Sequence, residues 1–182
     1  MNRRNVIDYS LTVLSGFRYA MTYIAKSGPA HWIITLKENT MKISARNVFE
    51  GTVTALVDGT VNAEVEVTTP GGDRIVAIVT EGSVQSLGLA VGQPAIAYVK
   101  APWVMVLAGE GGAKFSARNQ LAGSVEAVHK GAVNSEVVIK LAGGTLVYAV
   151  ITNEAVLELG LKPGVPASAL IKASHVVLGV PG

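Results

Sequence analysis

Residues Lys42–Val57 read KISARNVFEGTVTALV, and Lys114–His129 read KFSARNQLAGSVEAVH. After the shared Ser-Ala-Arg-Asn, each copy continues in the alternating, β-branched manner of a strand with one buried face. A repeat of core residues would report only that a fold was duplicated. Serine, arginine and asparagine are poor core material, so their repetition asks what both copies hold.

The offset of 72 residues extends well beyond these stretches. Residues 42–110 align with 114–182 without a gap, and 28 of the 69 positions are identical. Among them are Gly51/Gly123, Val61-Asn62/Val133-Asn134, Glu64/Glu136, Thr80/Thr152, Pro94/Pro166 and Lys100-Ala101/Lys172-Ala173. This is a tandem duplication. The chain thus divides into residues 1–40, a first domain at 41–110 and a second at 114–182. Ala108–Ala113, AGEGGA, is a short flexible joint between the domains.

Within the first copy, NVFEGTVTALV and NAEVEVTT predict strands, PGGD (Pro70–Asp73) a hairpin turn, and RIVAIV a third strand. TEGSVQSLGL predicts a short helix capped by Thr80 and ending near Gly88. PAIAYVKA and WVMVL supply the last strands. Each repeat is therefore expected to be all-β with one short helix, a small Greek-key barrel of the OB type. A barrel of about 70 residues built from Ala, Val and Gly has a thin core, which duplication and oligomerisation would reinforce.

Residues 1–40 differ. They hold Tyr9, Phe17, Tyr19, Tyr23 and Trp32, half of the ten aromatics in the chain. Asp8 and Arg18 interrupt the apolar stretch, so neither a membrane helix nor a secretory signal fits. Met41 stands directly before the first repeat and is a candidate for the true start, with residues 1–40 an extension. This segment carries five Lys/Arg against two Asp/Glu, whereas residues 41–182 carry ten against eleven. A nearly neutral repeat region with few aromatics argues against a nucleic-acid groove. There is no cysteine, so disulfides and thiol chemistry are excluded. The three histidines, His31, His129 and His175, lack metal-ligand spacing.

The repeated polar residues are all donors or able to act as donors. In the first copy Ser44 and Arg46 share one side of the strand start, Thr80 and Ser83 flank a helix N-terminus, and Lys100 precedes the N–H of Ala101. Such a set suits an anion. Phosphate near pH 7 keeps a proton that wants an acceptor, so a donor-only site prefers a deprotonated oxyanion such as sulfate, molybdate or tungstate. The competing structural readings are helix caps for Thr80 and Thr152, solvated strand ends for Lys100 and Lys172, and turn chemistry for Asn62 and Asn134. Arg46 and Arg118 could pair with Glu64 and Glu136, a structural ion pair repeated because the fold is repeated. No catalytic constellation appears, so the chain is not expected to be an enzyme.

MKISARNVFEGTV, the TVNAEV and GAVNSEV segments, LGLAVGQPAIAYVKAPWVMV and LGLKPGVPASALIKASHVVLGV together resemble the molybdate-binding Mop (molbindin) domains, over residues 41–182. The resemblance implies tandem OB-like barrels and a homotrimer that binds molybdate or tungstate between subunits, for storage in the cytoplasm. No cofactor, nucleic acid or membrane is implied. By position, the oxyanion ligands would be Ser44, Arg46, Thr80, Ser83, Lys100 and Ala101, with Ser116, Arg118, Thr152, Lys172 and Ala173 in the second copy. A second kind of site would involve Val61, Asn62, Val133 and Asn134. Ala155 departs from the pattern where Ser83 stands in the first copy, and His175 replaces Trp103. The alternative function is an oxyanion-sensing module of a molybdate-dependent regulator or transport system.

Overall fold

The computed structural model describes the backbone of residues 6–12, 18–24 and 31–36, and all atoms of residues 42–109 and 114–181. Met41 and residues 110–113 of the joint lie outside the described residues. The chain divides into two units, Met1–Ile43 and Ser44–Gly182. In the first, β1 (Val6–Thr12), β2 (Arg18–Ile24) and β3 (His31–Leu36) form an antiparallel meander, with Val6 opposite Ile24 and Tyr19 opposite Leu36.

In the second unit the alternation read from the sequence becomes strand geometry. β4 (Asn47–Val57), β5 (Asn62–Thr68) and β6 (Arg74–Thr80) pair antiparallel in order. The β5–β6 hairpin closes through the Gly72 N–H donating to the Thr69 carbonyl at 2.9 Å. Helix α1 (Glu81–Leu87) follows, ended by Gly88 in the left-handed conformation (φ 61°). β7 (Pro94–Val99) then returns to pair with β4, Asn47 opposite Val99. The second repeat repeats the order: β9 (Asn119–Lys130), β10 (Asn134–Leu141), β11 (Leu146–Thr152), α2 (Asn153–Glu158) and β12 (Pro166–Ile171). Strand alternation turns Val65, Val67, Ile75 and Ala77 inward, and likewise Val137, Ile139, Val147 and Ala149, all fully buried.

Neither repeat completes its sheet alone. After β7 a 3-10 turn, Ala101–Trp103, redirects the chain, and β8 (Met105–Ala108) pairs with β12 of the second repeat. Reciprocally, β13 (Val177–Gly179) pairs with β7 of the first, Val177 opposite Tyr98. The result is two five-stranded half barrels, ordered β13-β7-β4-β5-β6 and β11-β10-β9-β12-β8, around one continuous buried cluster. Exchanging the last strands makes the core of each half depend on the other.

Equivalent residues meet across a pseudo-twofold axis. The rings of Trp103 and His175 lie 5.4 Å apart, and the Thr145 hydroxyl donates to the carboxylate of its counterpart, Asp73. The hairpin tips touch at Gly71 and Gly143. A Cβ on Gly71 would stand 2.7 Å from the Gly143 carbonyl oxygen, and one on Gly143 2.4 Å from that of Gly71. Only glycine lets two backbones approach this closely.

Candidate functional site

The Ser-Ala-Arg-Asn segments lead into β4 and β9, where alternation separates their roles. Asn47 and Asn119 point inward and are 1% exposed, while Ser44, Arg46, Ser116 and Arg118 face out. The Asn47 carboxamide acts as an extra peptide group on an edge strand of the other repeat. Its Oδ1 accepts from the Tyr148 N–H at 2.7 Å, and its Nδ2 donates to the Tyr148 carbonyl at 2.9 Å and to Val99 at 3.2 Å. Asn119 does the same with Val76 (2.6 and 2.8 Å) and Ile171 (3.2 Å). Each amide thus occupies the open edge of β11 or β6 and satisfies buried backbone groups. The sequence reading assigned these asparagines no role. Their exact repetition inside a strand start was the available signal.

The arginines also reach across the repeats. Arg46 donates through Nε to Glu136 Oε2 at 3.0 Å and through Nη2 to both carboxylate oxygens at 2.7 and 2.8 Å, with its guanidinium 5.5 Å from the Tyr148 ring centre. Arg118 pairs with Glu64. The ion pairs considered from the sequence are present, and they cross: each arginine holds the glutamate of the other copy. Both arginine side chains are more than half exposed, so these pairs orient the guanidinium rather than contribute much stability.

Thr80 and Thr152 are helix caps, accepting from the Ser83 N–H at 3.2 Å and the Ala155 N–H at 3.1 Å. The Thr80 and Ser83 hydroxyls are 2.7 Å apart, a contact that Ala155 cannot make. Lys100 and Lys172 are exposed at the ends of β7 and β12, while Ala101 and Ala173 are buried in the turns that follow. Strand register brings the Arg46 end of β4 beside the Lys100 end of β7, because Asn47 faces Val99; Asn119 and Ile171 align Arg118 and Lys172 likewise. Asn62 faces Thr80 at the start of β5, and Val61 accepts from the Glu81 N–H at 3.0 Å. Val61 and Val133 are among the most exposed apolar residues described, at 69% and 71%.

The donors thus fall into two groups, one of Ser, Arg and Lys at the β4–β7 (or β9–β12) end and one of Thr80, Ser83 and Asn62 (or Thr152 and Asn134) beside the helix. The crossing ion pairs link them. Arg118 holds Glu64, two residues along β5 from Asn62, and Arg46 holds Glu136, two residues from Asn134. The expectation of a site without acceptors also changes, since a carboxylate lies against each arginine.

Ser116 and Arg118 further line a cavity of about 660 Å³, together with Glu66, Asp73 and Arg74. The Arg74 guanidinium donates through Nε to Glu66 at 2.8 Å and holds the Glu66 carboxyl below its ordinary range. Burial opposes that shift, and a 2.8 Å bond from the Thr54 hydroxyl assists it. Glu66 in turn raises Arg74. The sequence carries no repeat signal for Arg74, because its counterpart is Leu146.

Residues 43–106 and 116–178 each match the TOBE domain. The chain belongs to the TOBE-domain family. Among solved structures, the two TOBE repeats resemble that of a cytoplasmic molybdate-binding protein, ModG, with molybdate bound. It is 57% identical at a TM-score of 0.75, and the match covers 78% of this chain and 100% of that one. The molybdenum-pterin-binding protein MopA of Rhodobacter capsulatus is 44% identical over 155 residues, covering 85% of this chain and 58% of MopA. The molybdenum transport protein ModE of Azotobacter vinelandii is 44% identical over 142 residues, covering 78% of this chain and 52% of ModE. The chain thus spans about half the length of these curated relatives. Among the described residues, no helix is long and apolar enough to cross a membrane.

Proposed function

We propose that this protein binds molybdate, and tungstate by the same chemistry, as a cytoplasmic store that buffers the oxyanion, and that it is a binding protein without a catalytic step. The observation that carries the reading is the sorting of the repeated quartet. Asn turns inward to join the repeats, while Ser44, Arg46, Ser116 and Arg118 remain outside beside Lys100 and Lys172. The arginines recur as partners of Glu136 and Glu64 across the repeats, but the outward serine and ammonium groups beside them have no need to recur for folding, and together the three suit a tetrahedral dianion. The likeness to a molybdate-bound structure over its entire length supports the same ligand.

Since the Ser-Arg-Lys and Thr-Ser groups lie at different places on one chain, a neighbouring chain would complete each cage. In this reading the active form is a homotrimer, with Thr80 and Ser83 (and Thr152) of one subunit facing the Ser-Arg-Lys groups of an adjacent subunit, where Lys100-Ala101 and Lys172-Ala173 stand beside the arginines. The exposed Val61-Asn62 and Val133-Asn134 corners would form a second kind of site. The ModE relatives favour one other reading, in which the two repeats are the oxyanion-sensing part of a regulatory or transport system.

Calorimetric titration with molybdate, with sulfate as control, on protein sized by light scattering tests the proposal. It expects a trimer that takes up more than one molybdate per chain and binds sulfate weakly, because sulfate is smaller than the cage. A monomer that ignores molybdate would refute it.

A further inference from the structure

The two copies of Ser-Ala-Arg-Asn stand in different surroundings. The cavity at Arg118 is lined by Glu66, Asp73, Arg74 and Val76 of the other repeat, whereas their counterparts, Val138, Thr145, Leu146 and Tyr148, carry no charge. The second setting is therefore enriched in charge of both signs, and it surrounds the cavity of about 660 Å³. Arg74 and Arg118 side chains are 70% and 58% exposed, and each is engaged on only part of its donor fork. Asp73 Oδ2 accepts from Thr145, whereas Oδ1 receives no hydrogen bond among the described residues. Arg46 also has a carboxylate against it, but Glu136 is engaged by that arginine on both oxygens, whereas Asp73 keeps Oδ1 unengaged in a cavity lined by two guanidinium groups. A fully deprotonated oxyanion would bring its lone pairs against those of Asp73. A tetrahedral anion that still carries a proton can donate it there while both guanidinium groups bind its other oxygens.

We propose that this cavity is a second anion site, chemically distinct from its pseudo-symmetric counterpart, that binds a monoprotonated phosphate group between Arg74 and Arg118 with Asp73 accepting the P–OH hydrogen. The proposal shares with the proposed function the reading of Ser116 and Arg118 as anion ligands, and adds Arg74 and Asp73 as the residues that set specificity. The cavity is much larger than one phosphate, so it leaves space for the organic part of a phosphate monoester.

The test is calorimetric titration of the full chain with inorganic phosphate, glycerol phosphate and sulfate, repeated on Arg74→Leu and Asp73→Asn. Leucine already stands at the equivalent place in the other repeat, Leu146, and asparagine keeps the shape of aspartate, so both variants are expected to fold, with thermal melts as the check. Wild type is expected to take one phosphate per chain in preference to sulfate. Arg74→Leu should weaken phosphate by roughly tenfold or more. Asp73→Asn should abolish the preference, bringing sulfate level with phosphate. With the titrations run at about pH 6, where a phosphate monoester still carries a proton, tighter binding of the monoester, or equal binding of both phosphates, upholds the site and tells a phosphorylated metabolite from the free ion. No saturable phosphate binding, equal sulfate binding in wild type, or phosphate binding unchanged in both variants overturns it. Molybdate titrated into the same three proteins separates the two readings, because its uptake depends on neither Arg74 nor Asp73 at the Arg46 site.

Discussion

The two TOBE repeats share a backbone plan but not a surface. Where the first carries the Thr54–Glu66–Arg74 network, the second has Glu126, a buried Val138 and Leu146. Where the second satisfies Asn153 with the Ser135 hydroxyl at 2.7 Å and the Gly131 carbonyl at 3.0 Å, the first has Ala63 and Glu81. Among the positions that stayed identical are several that join the copies: the inward asparagines, the crossing Arg–Glu pairs and the touching glycines. Elsewhere the contact between copies is made by positions that diverged, as where Thr145 meets Asp73 and Trp103 meets His175.

The exchanged strands offer the most severe way to break this mutual dependence. Removing residues 177–182 takes β13 from the sheet of the other repeat, leaving β7 as an unpaired edge. Amides of Ile96–Tyr98 should lose hydrogen-exchange protection although they lie some 80 residues earlier in the chain. If only the second repeat loosens, the repeats are more independent than the sheet order implies.

Next in size come the asparagines. Asn47→Ala and Asn119→Ala each leave the N–H and carbonyl of an edge strand without their partner, at a cost of about 2–4 kcal/mol. The paired contacts match in type and number, so the two variants should lose stability almost equally in urea unfolding. A large inequality would show that one repeat dominates the joint.

Most of the local structure was legible in the sequence because it depends on local rules. Alternation gave β4 its range, Pro70–Asp73 its hairpin turn, and Thr80 and Gly88 their caps. The exchange of β8 and β13 was not legible. In a duplicated chain, every pairing within a copy has an equivalent between copies, and spacing cannot choose between them. The same degeneracy hid the partners of Arg46 and Arg118. Comparing the copies drew attention to what they share, which is why the outward donors were found and why Arg74, present once, was not.

A smaller effect concerns acid. Glu66 is held below its ordinary pKa chiefly by Arg74, so its contribution is present above the ordinary value of 4.5 and is lost as pH falls through the lowered folded value. The unfolded chain binds the proton first, so stability declines with falling pH across that window. Glu66→Val, which installs the residue of the other repeat, should flatten this decline in melts recorded between neutral and acid pH. An unchanged acid slope would assign the pH dependence to other carboxylates.

The smallest effect should have the opposite sign. Among the described residues, one carboxylate oxygen of Glu81, Oε2, is buried without a hydrogen-bond partner, while its counterpart Asn153 is satisfied by Ser135 and Gly131. Ala63, where Ser135 stands in the other copy, is 1% exposed and offers nothing to bond. Replacing both at once, Ala63→Ser with Glu81→Asn, transfers the satisfied arrangement onto an equivalent backbone and should stabilise the protein by about 1 kcal/mol. Glu81→Asn alone should give less, because the Asn side-chain oxygen would still lack its hydroxyl donor, and Ala63→Ser alone should recover part of the gain by donating to the buried Glu81 oxygen. A double-mutant cycle measured by urea unfolding reads the coupling directly. Additive effects would mean that the two repeats, alike in backbone pairing, do not hold these side chains at the same separation.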